Sequence, residues 1–222
     1  MANRKINFAS GEYYHLYNRG NSKQKIFHDE QDYWHFISLL YIFNTEDNIS
    51  ISDLKKAANF SLYETETGSQ IVSIGSYVLM PNHFHILITQ KIEKGISKFM
   101  QKVATAYVMY YNQKYSRTGG LFEGRFKSRH LSTDNYLKYI FSYIHLNPIK
   151  LIQKDWKENG IKNIDEAKNF LNNYEYSSYK SFIGDKRIQN KILEISDFPK
   201  YFPNKKSFTS EIFYWLKYKE DL

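Results

Sequence analysis

His83 and His85 stand one residue apart in the apolar run Ser76-Tyr-Val-Leu-Met-Pro-Asn-His-Phe-His-Ile-Leu-Ile88, and far downstream Tyr143-Ile-His-Leu-Asn-Pro148 sets a tyrosine and an asparagine four residues apart. On a strand, residues i and i+2 face the same side about 6.5–7 Å apart. Two imidazoles at that spacing can converge on one divalent ion, with Phe84 pointing into the core behind them. Neutral imidazole suits a borderline metal such as Mn²⁺, and Mg²⁺ is accommodated where the other ligands are oxygens. The competing reading is two ordinary histidines on a solvent-facing strand, because His-x-His pairs are common by chance.

At 100° per residue, Tyr143 and Asn147 fall within about 40° of each other on one helix face. Leu137, Ile140 and Ile144 form the adjacent apolar stripe, which should dock that helix on a sheet and leave Tyr143 and Asn147 at its margin. His145 projects away from both and is set aside as a ligand. Tyr136 and Tyr139 share nearly the same face, so position on the helix alone does not choose among the three phenols. A phenol has a pKa near 10 and is a poor nucleophile at neutral pH. A divalent ion that polarises a phosphodiester would assist it, and the resulting phosphotyrosine ester conserves the bond energy for rejoining. Such chemistry fits strand transfer better than simple hydrolysis.

The elements that must position these groups are legible from periodicity. Glu12–Tyr17 reads as a strand, followed by a turn at Asn18–Ser22. Asp29–Phe43 reads as a helix, with Trp34, Ile37, Leu40 and Tyr41 at three- and four-residue spacing. Residues 44–69 are polar and irregular, an expected insertion with a short helix at Ser52–Ala58. Gln70–Met80 and His83–Thr89 are β-rich runs separated by Pro81 and Asn82. Lys94–Tyr115 is an amphipathic helix, and Leu121–Leu131 reads as a further strand rich in Arg and Lys. Thr133 or Asp134 caps a helix that Pro148 should stop at Asn147. Another helix lies around Asn163–Asn172. The expected organisation is one domain over 1–184 and a C-terminal extension over 185–222.

Composition narrows the function classes. The chain has 222 residues, a net charge of +8, 42% hydrophobic residues and no cysteine. Thiol catalysis, zinc ribbons and a disulfide framework are excluded. The N-terminus shows no long apolar segment and no stretch approaches a membrane span, so a cytoplasmic location and no membrane partner are expected. The basic balance and an aromatic content of 18%, including 20 tyrosines, suit single-stranded nucleic acid, where bases stack on rings and phosphates meet cations. A compositional bias of the source proteome would give similar totals.

Five blocks in order resemble the REP-associated tyrosine transposases, a branch of the single-tyrosine HUH (IS200-like) transposases. They are Tyr14-His-Leu-Tyr-Asn-Arg-Gly20, Tyr77-Val-Leu-Met-Pro-Asn-His-Phe-His85, Gly120-Leu-Phe-Glu-Gly-Arg-Phe-Lys-Ser128, Tyr143-Ile-His-Leu-Asn-Pro148 and Tyr176-Ser-Ser-Tyr179. The resemblance implies an α+β fold, an antiparallel sheet of ferredoxin-like or RRM-like kind with helices on one face. It implies that His83 and His85 are metal ligands and Tyr143 the nucleophile. Asn147 matches the third ligand, where insertion-sequence relatives more usually carry Gln. Mg²⁺ or Mn²⁺ is the implied ion. Single-stranded DNA hairpins (REP-like elements with a short guide sequence) are the implied partner, cut to leave a 5′-phosphotyrosine and a free 3′-OH. Arg19, Arg125 and Lys127, which fall in the blocks, and Arg129, which directly follows the third, are expected to contact phosphates; the alternative for them is a solvated basic face.

Two rival readings stay in view. One is a non-catalytic hairpin-binding protein on the same fold, against which the intact His83, His85, Tyr143 and Asn147 set argues. The other is a replication initiator or relaxase of the same superfamily, which usually carries a third metal-site histidine not evident in these motifs. Monomer and homodimer both remain open, with monomer favoured.

Overall fold

The alternation in His83–Gln90 sends His83, His85 and Leu87 to one side of a strand and Phe84, Ile86 and Ile88 to the other, and the whole architecture follows from burying both sides. The computed structural model describes residues 7–51 and 62–215. Strand β1 (Tyr13–Arg19) is followed by helix α1 (Glu30–Ile42), strands β2 (Val72–Met80) and β3 (His83–Gln90), helix α2 (Gly95–Lys114) and strand β4 (Lys127–His130). The sheet order is β2-β3-β1-β4 with every pairing antiparallel. This is the split β-α-β topology of ferredoxin-like folds, and the expected α+β class stands.

Helices α1 and α2 cover one face. Phe36, Ile37 and Leu40 of α1 and Phe99, Val103 and Tyr107 of α2 pack on Leu16, Leu79, Phe84 and Ile86. Helix α3 (Asp134–Leu146) covers the opposite face, where Leu137, Ile140 and Ile144 meet Val78, Met80 and Leu87. The expectation of helices on one face is therefore corrected. β2 is buried along its whole length and needs cover on both sides, which explains why its sequence alternates poorly.

Helix starts follow the local sequence. Asp29 accepts from the Asp32 amide at 3.1 Å and Thr133 from the Tyr136 amide at 3.2 Å, each satisfying an otherwise orphaned donor. α3 stops at Leu146, but the chain does not leave helical geometry there. Asn147 sits at φ −52°, ψ −37° and opens a 3₁₀ segment, Asn147–Leu151. Pro148 falls in its first turn, where the missing N–H has no partner to lose. The strand expected over Leu121–Leu131 is reduced to Lys127–His130. Phe122 makes only an isolated bridge to Gly20, and Gly124 at φ +79° turns the chain between the two pairings.

Beyond α3 come α4 (Trp156–Asn159), α5 (Ile164–Asn173), α6 (Tyr179–Phe182) and α7 (Lys205–Trp215). Leu193 bridges Ile74, and the Glu194 amide donates to the Ile74 carbonyl at 3.0 Å. Phe208 and Ile212 of α7 are buried in the core beneath α3. The register of β2 on β3 shifts between Ile74 and Ser76. Gly75 lies in that shift, and a Cβ there would fall 2.9 Å from the Phe198 ring. The short helix expected at Ser52–Ala58 lies outside the described residues. Among the described residues no helix is long and apolar enough to cross a membrane.

Candidate active site

Cross-strand register brings the chemistry together. Arg19 pairs with His83 and Tyr17 with His85 between β1 and β3, while Arg129 pairs with His15 and Lys127 with Tyr17 between β1 and β4. Directly opposed residues point to the same face. His15, Tyr17, His83 and His85 consequently share the side that α3 covers. α3 then lays Tyr143 against them. The His83 and His85 ring centroids are 5.1 Å apart at 87°, and the His85 and Tyr143 rings are 5.4 Å apart at 75°.

Asn147, one helical turn after Tyr143, is 2% exposed. Its amide stands beside both His83 and Tyr143 and works against burial in each, raising the imidazole pKa and lowering that of the phenol. Its Oδ1 is buried without a hydrogen-bond partner, and so is Nε2 of His85. His83 Nδ1 lies 2.6 Å from Asn82 Oδ1. An amide oxygen only accepts, so Nδ1 carries the proton and Nε2 of His83 keeps its lone pair. His85 Nε2 and Asn147 Oδ1 thus lack protein partners, the lone pair of His83 Nε2 stands beside Asn147, and a hard or borderline cation needs such donors, so the set fits Mn²⁺ or Mg²⁺. Among the described residues no group of three or more His, Cys, Asp and Glu side chains could hold a metal; this candidate set is two histidines and an amide.

Burial sets the protonation states. It is the main cause that pushes His83 down to about 4, with nearby cations adding, and holds His85 well below the ordinary imidazole value, with His15 and His83 adding. Both are neutral and ligand-competent at neutral pH. Burial pushes Tyr143 up to about 12, so its phenol is protonated there. Lys157 Nζ sits 3.9 Å from the Tyr143 ring centroid, a cation–π geometry. Although much of the Lys157 side chain is open to solvent, desolvation of the ammonium, with Lys150 nearby, lowers its pKa.

The site opens into a cleft of about 770 Å³ lined by Arg19, Lys23, Lys25, Lys127, Lys150 and Lys154, with Glu123 the single carboxylate lining it among the described residues. Such a surface concentrates polyanions. Lys127 lines this cleft, and Arg129 is on the same face, donating to the Tyr136 hydroxyl at 3.1 Å. Arg19 is at the cleft mouth, bound to Glu123. Arg125 is not part of the site. It lines a separate cleft on the α2 side with Phe84, Phe122 and Phe126, because the turn at Gly124 carries it to the other face. The five lysines other than Lys127 at or over the site (Lys23, Lys25, Lys150, Lys154 and Lys157) were not singled out from sequence, since nothing local distinguishes them from solvated surface. His15 was also missed. It lies in the Tyr14-His-Leu-Tyr block, yet only register reveals that it adjoins His85, at 2.8 Å from Nε2 to Nδ1. A third histidine therefore stands beside the pair, in contact with Nδ1 of His85 rather than joining the two as a ligand.

Residues 61–147 match the family model described as "Transposase IS200 like". That stretch is less than half of the chain, and it holds His83, His85, Tyr143 and Asn147. The resemblance carried by the motifs is thus found over this stretch. No curated protein matches the sequence. Among solved structures, one described as "Structure of the REP associates tyrosine transposase bound to a REP hairpin" is 13% identical, with a TM-score of 0.48, and the match covers 85% of this chain and 90% of that one.

Proposed function

We propose that this chain is an IS200-like transposase: a metal-dependent endonuclease and strand transferase that cuts single-stranded DNA hairpins through a covalent 5′-phosphotyrosine. The observation that carries the reading is the meeting, within one chain, of the Tyr143 phenol with His83, His85 and Asn147 under a cationic cleft. The IS200-like match over 61–147 supports it independently, and the preference for hairpins rests on the motif resemblance.

In this reading the cleft lysines draw in the backbone and Lys127 and Arg129 hold phosphates on the α3 side of the sheet. Tyr143 Oη attacks the scissile phosphorus; the Oη–P bond forms and the P–O3′ bond breaks. The phenolic proton is released and the departing 3′ oxygen takes one up. The ester to Tyr143 keeps the energy of the broken bond, so a 3′-OH can reverse the step and join a new strand without ATP. His83, His85 and Asn147 would hold Mn²⁺ or Mg²⁺, which would neutralise charge on the phosphate as it is attacked. Lys157, over the Tyr143 ring, favours the developing phenolate by its charge. Because one chain assembles the whole set, we propose that Tyr143 acts in its own subunit.

The test is incubation with labelled single-stranded hairpin DNAs and Mn²⁺ or Mg²⁺, resolved on a denaturing protein gel. A protease-sensitive adduct that disappears in EDTA is expected. Tight binding with no adduct, across many hairpins and both ions, would establish the hairpin-binding protein instead.

A further inference from the structure

The hydrogen bond between His15 and His85 has no part in the steps above. His15 Nε2 lies 2.8 Å from His85 Nδ1, the rings are 4.9 Å apart and nearly parallel at 24°, and both side chains are buried. The register accounts for the contact: His15 pairs with Leu87, two residues from His85 on the same face, which makes the two rings diagonal neighbours. Two imidazole nitrogens in contact share one proton, so one ring donates and the other accepts.

The direction follows from the other end of His85. Its Nε2 is buried and has no partner. Were His15 the donor, neutral His85 would carry its proton on Nε2, an unsatisfied N–H inside the protein, which folded chains seldom tolerate. With His85 as donor, Nδ1–H points at His15 and Nε2 turns a lone pair towards the space shared with His83 and Asn147. Histidine ligands are commonly held this way by an acceptor behind them, which fixes both tautomer and ring plane. His83 has the same arrangement, with Asn82 Oδ1 behind its Nδ1. Both imidazoles are thus backed by an acceptor, one from the adjacent residue and one from across the sheet.

We propose that His15 is a positioning residue: by accepting the His85 Nδ1 proton it fixes the tautomer and plane in which His85 Nε2 can bind a divalent cation. The proposal rests on the metal-site reading above.

Two readouts test it. In metal-free protein with ¹⁵N-labelled histidine, NMR should show the His85 proton on Nδ1 in wild type and its redistribution to Nε2 in His15→Phe. Mn²⁺ binding followed by EPR should weaken roughly 10–100-fold in His15→Phe. His15→Gln, whose Oε1 can accept the same proton, should recover most of that loss and guards against a phenylalanine variant that folds poorly. A wild-type His85 proton on Nε2 overturns the proposal, as does His15→Phe binding Mn²⁺ as tightly as wild type. A wild type that binds no Mn²⁺ overturns the metal-site reading and this proposal together.

Discussion

Glu123 grips Arg19 with two parallel hydrogen bonds at the cleft mouth, Nε to Oε1 at 3.0 Å and Nη2 to Oε2 at 2.8 Å. The guanidinium fork that should meet a phosphate already has a carboxylate in it, and bidentate pairing of this kind fixes geometry. Glu123→Gln should free Arg19 and remove a negative group that lines the cleft. Single-stranded DNA binding, followed by fluorescence anisotropy against salt, should then tighten severalfold at low salt. The slope of log K on log salt should steepen by about 0.7 per phosphate gained. Weaker binding with an unchanged slope would mean that Glu123 aims Arg19 rather than occupying it.

Three near-parallel rings run along α3, with Tyr136–Tyr139 centroids 6.4 Å apart and Tyr139–Tyr143 6.2 Å apart, and Tyr143, the last of them, adjoins both His85 and Asn147. Tyr143→Phe should abolish the covalent adduct and keep DNA affinity within about fivefold, because it removes a single hydroxyl, on the order of 1 kcal/mol of hydrogen bonding. Tyr139→Phe should still form the adduct. An adduct in Tyr143→Phe that is lost in Tyr139→Phe would reassign the nucleophile.

Acid should unfold this protein through its histidines. Burial lowers His145 and His15 to about 3 and His83 to about 4. Between those folded-state values and the ordinary 6.5, the unfolded chain binds protons that the folded chain refuses, so stability rises with pH. This contribution is complete above pH 6.5 and is lost as pH falls through the folded values. Each such histidine adds a slope of about 1.4 kcal/mol per pH unit within the window. Thermal melts at pH 7, 5.5 and 4.5 should show a steep fall in Tm. His145, buried with Nδ1 2.9 Å from the Phe141 carbonyl and Nε2 2.8 Å from Ser178 Oγ, lies away from the candidate ligands. His145→Gln should flatten the slope by one histidine's share. A Tm that is flat from pH 7 to 4.5 is the result this account cannot accommodate.

Gly20 ends the Asn18-Arg19-Gly20 run where β1 turns into the cleft wall. A Cβ there would overlap the Gln24 carbonyl oxygen and lie 2.8 Å from the Ile26 side chain. Gly20→Ala should therefore cost about 1–3 kcal/mol by overpacking, read from urea unfolding. It should also weaken DNA binding, since Lys23 and Lys25 ride on the same turn. A stability change under 0.5 kcal/mol would show that the turn yields freely.

Much of the molecule was legible before any fold was considered. α1, α2, α3 and α5 lie within two residues of the positions that periodicity predicts, and Thr133, one of the two caps expected, is the one that holds the start of α3. The side-sharing of His83 and His85, and of Tyr143 and Asn147, is likewise local, because the strand and helix repeats alone determine it.

What lay between those pairs was not local. That Tyr143 meets His85, that His15 stands behind His85, and that Arg125 faces away while Lys150 and Lys157 face in all depend on which strands pair, in which register, and which face α3 covers. Those choices are made by burial of apolar surface between residues far apart in the chain. One residue of register slip would have turned His83 and His85 to the other face with the motif unchanged. The sequence by itself determined the two halves of the site, and only the packing of α3 on the far side of the sheet brought them together.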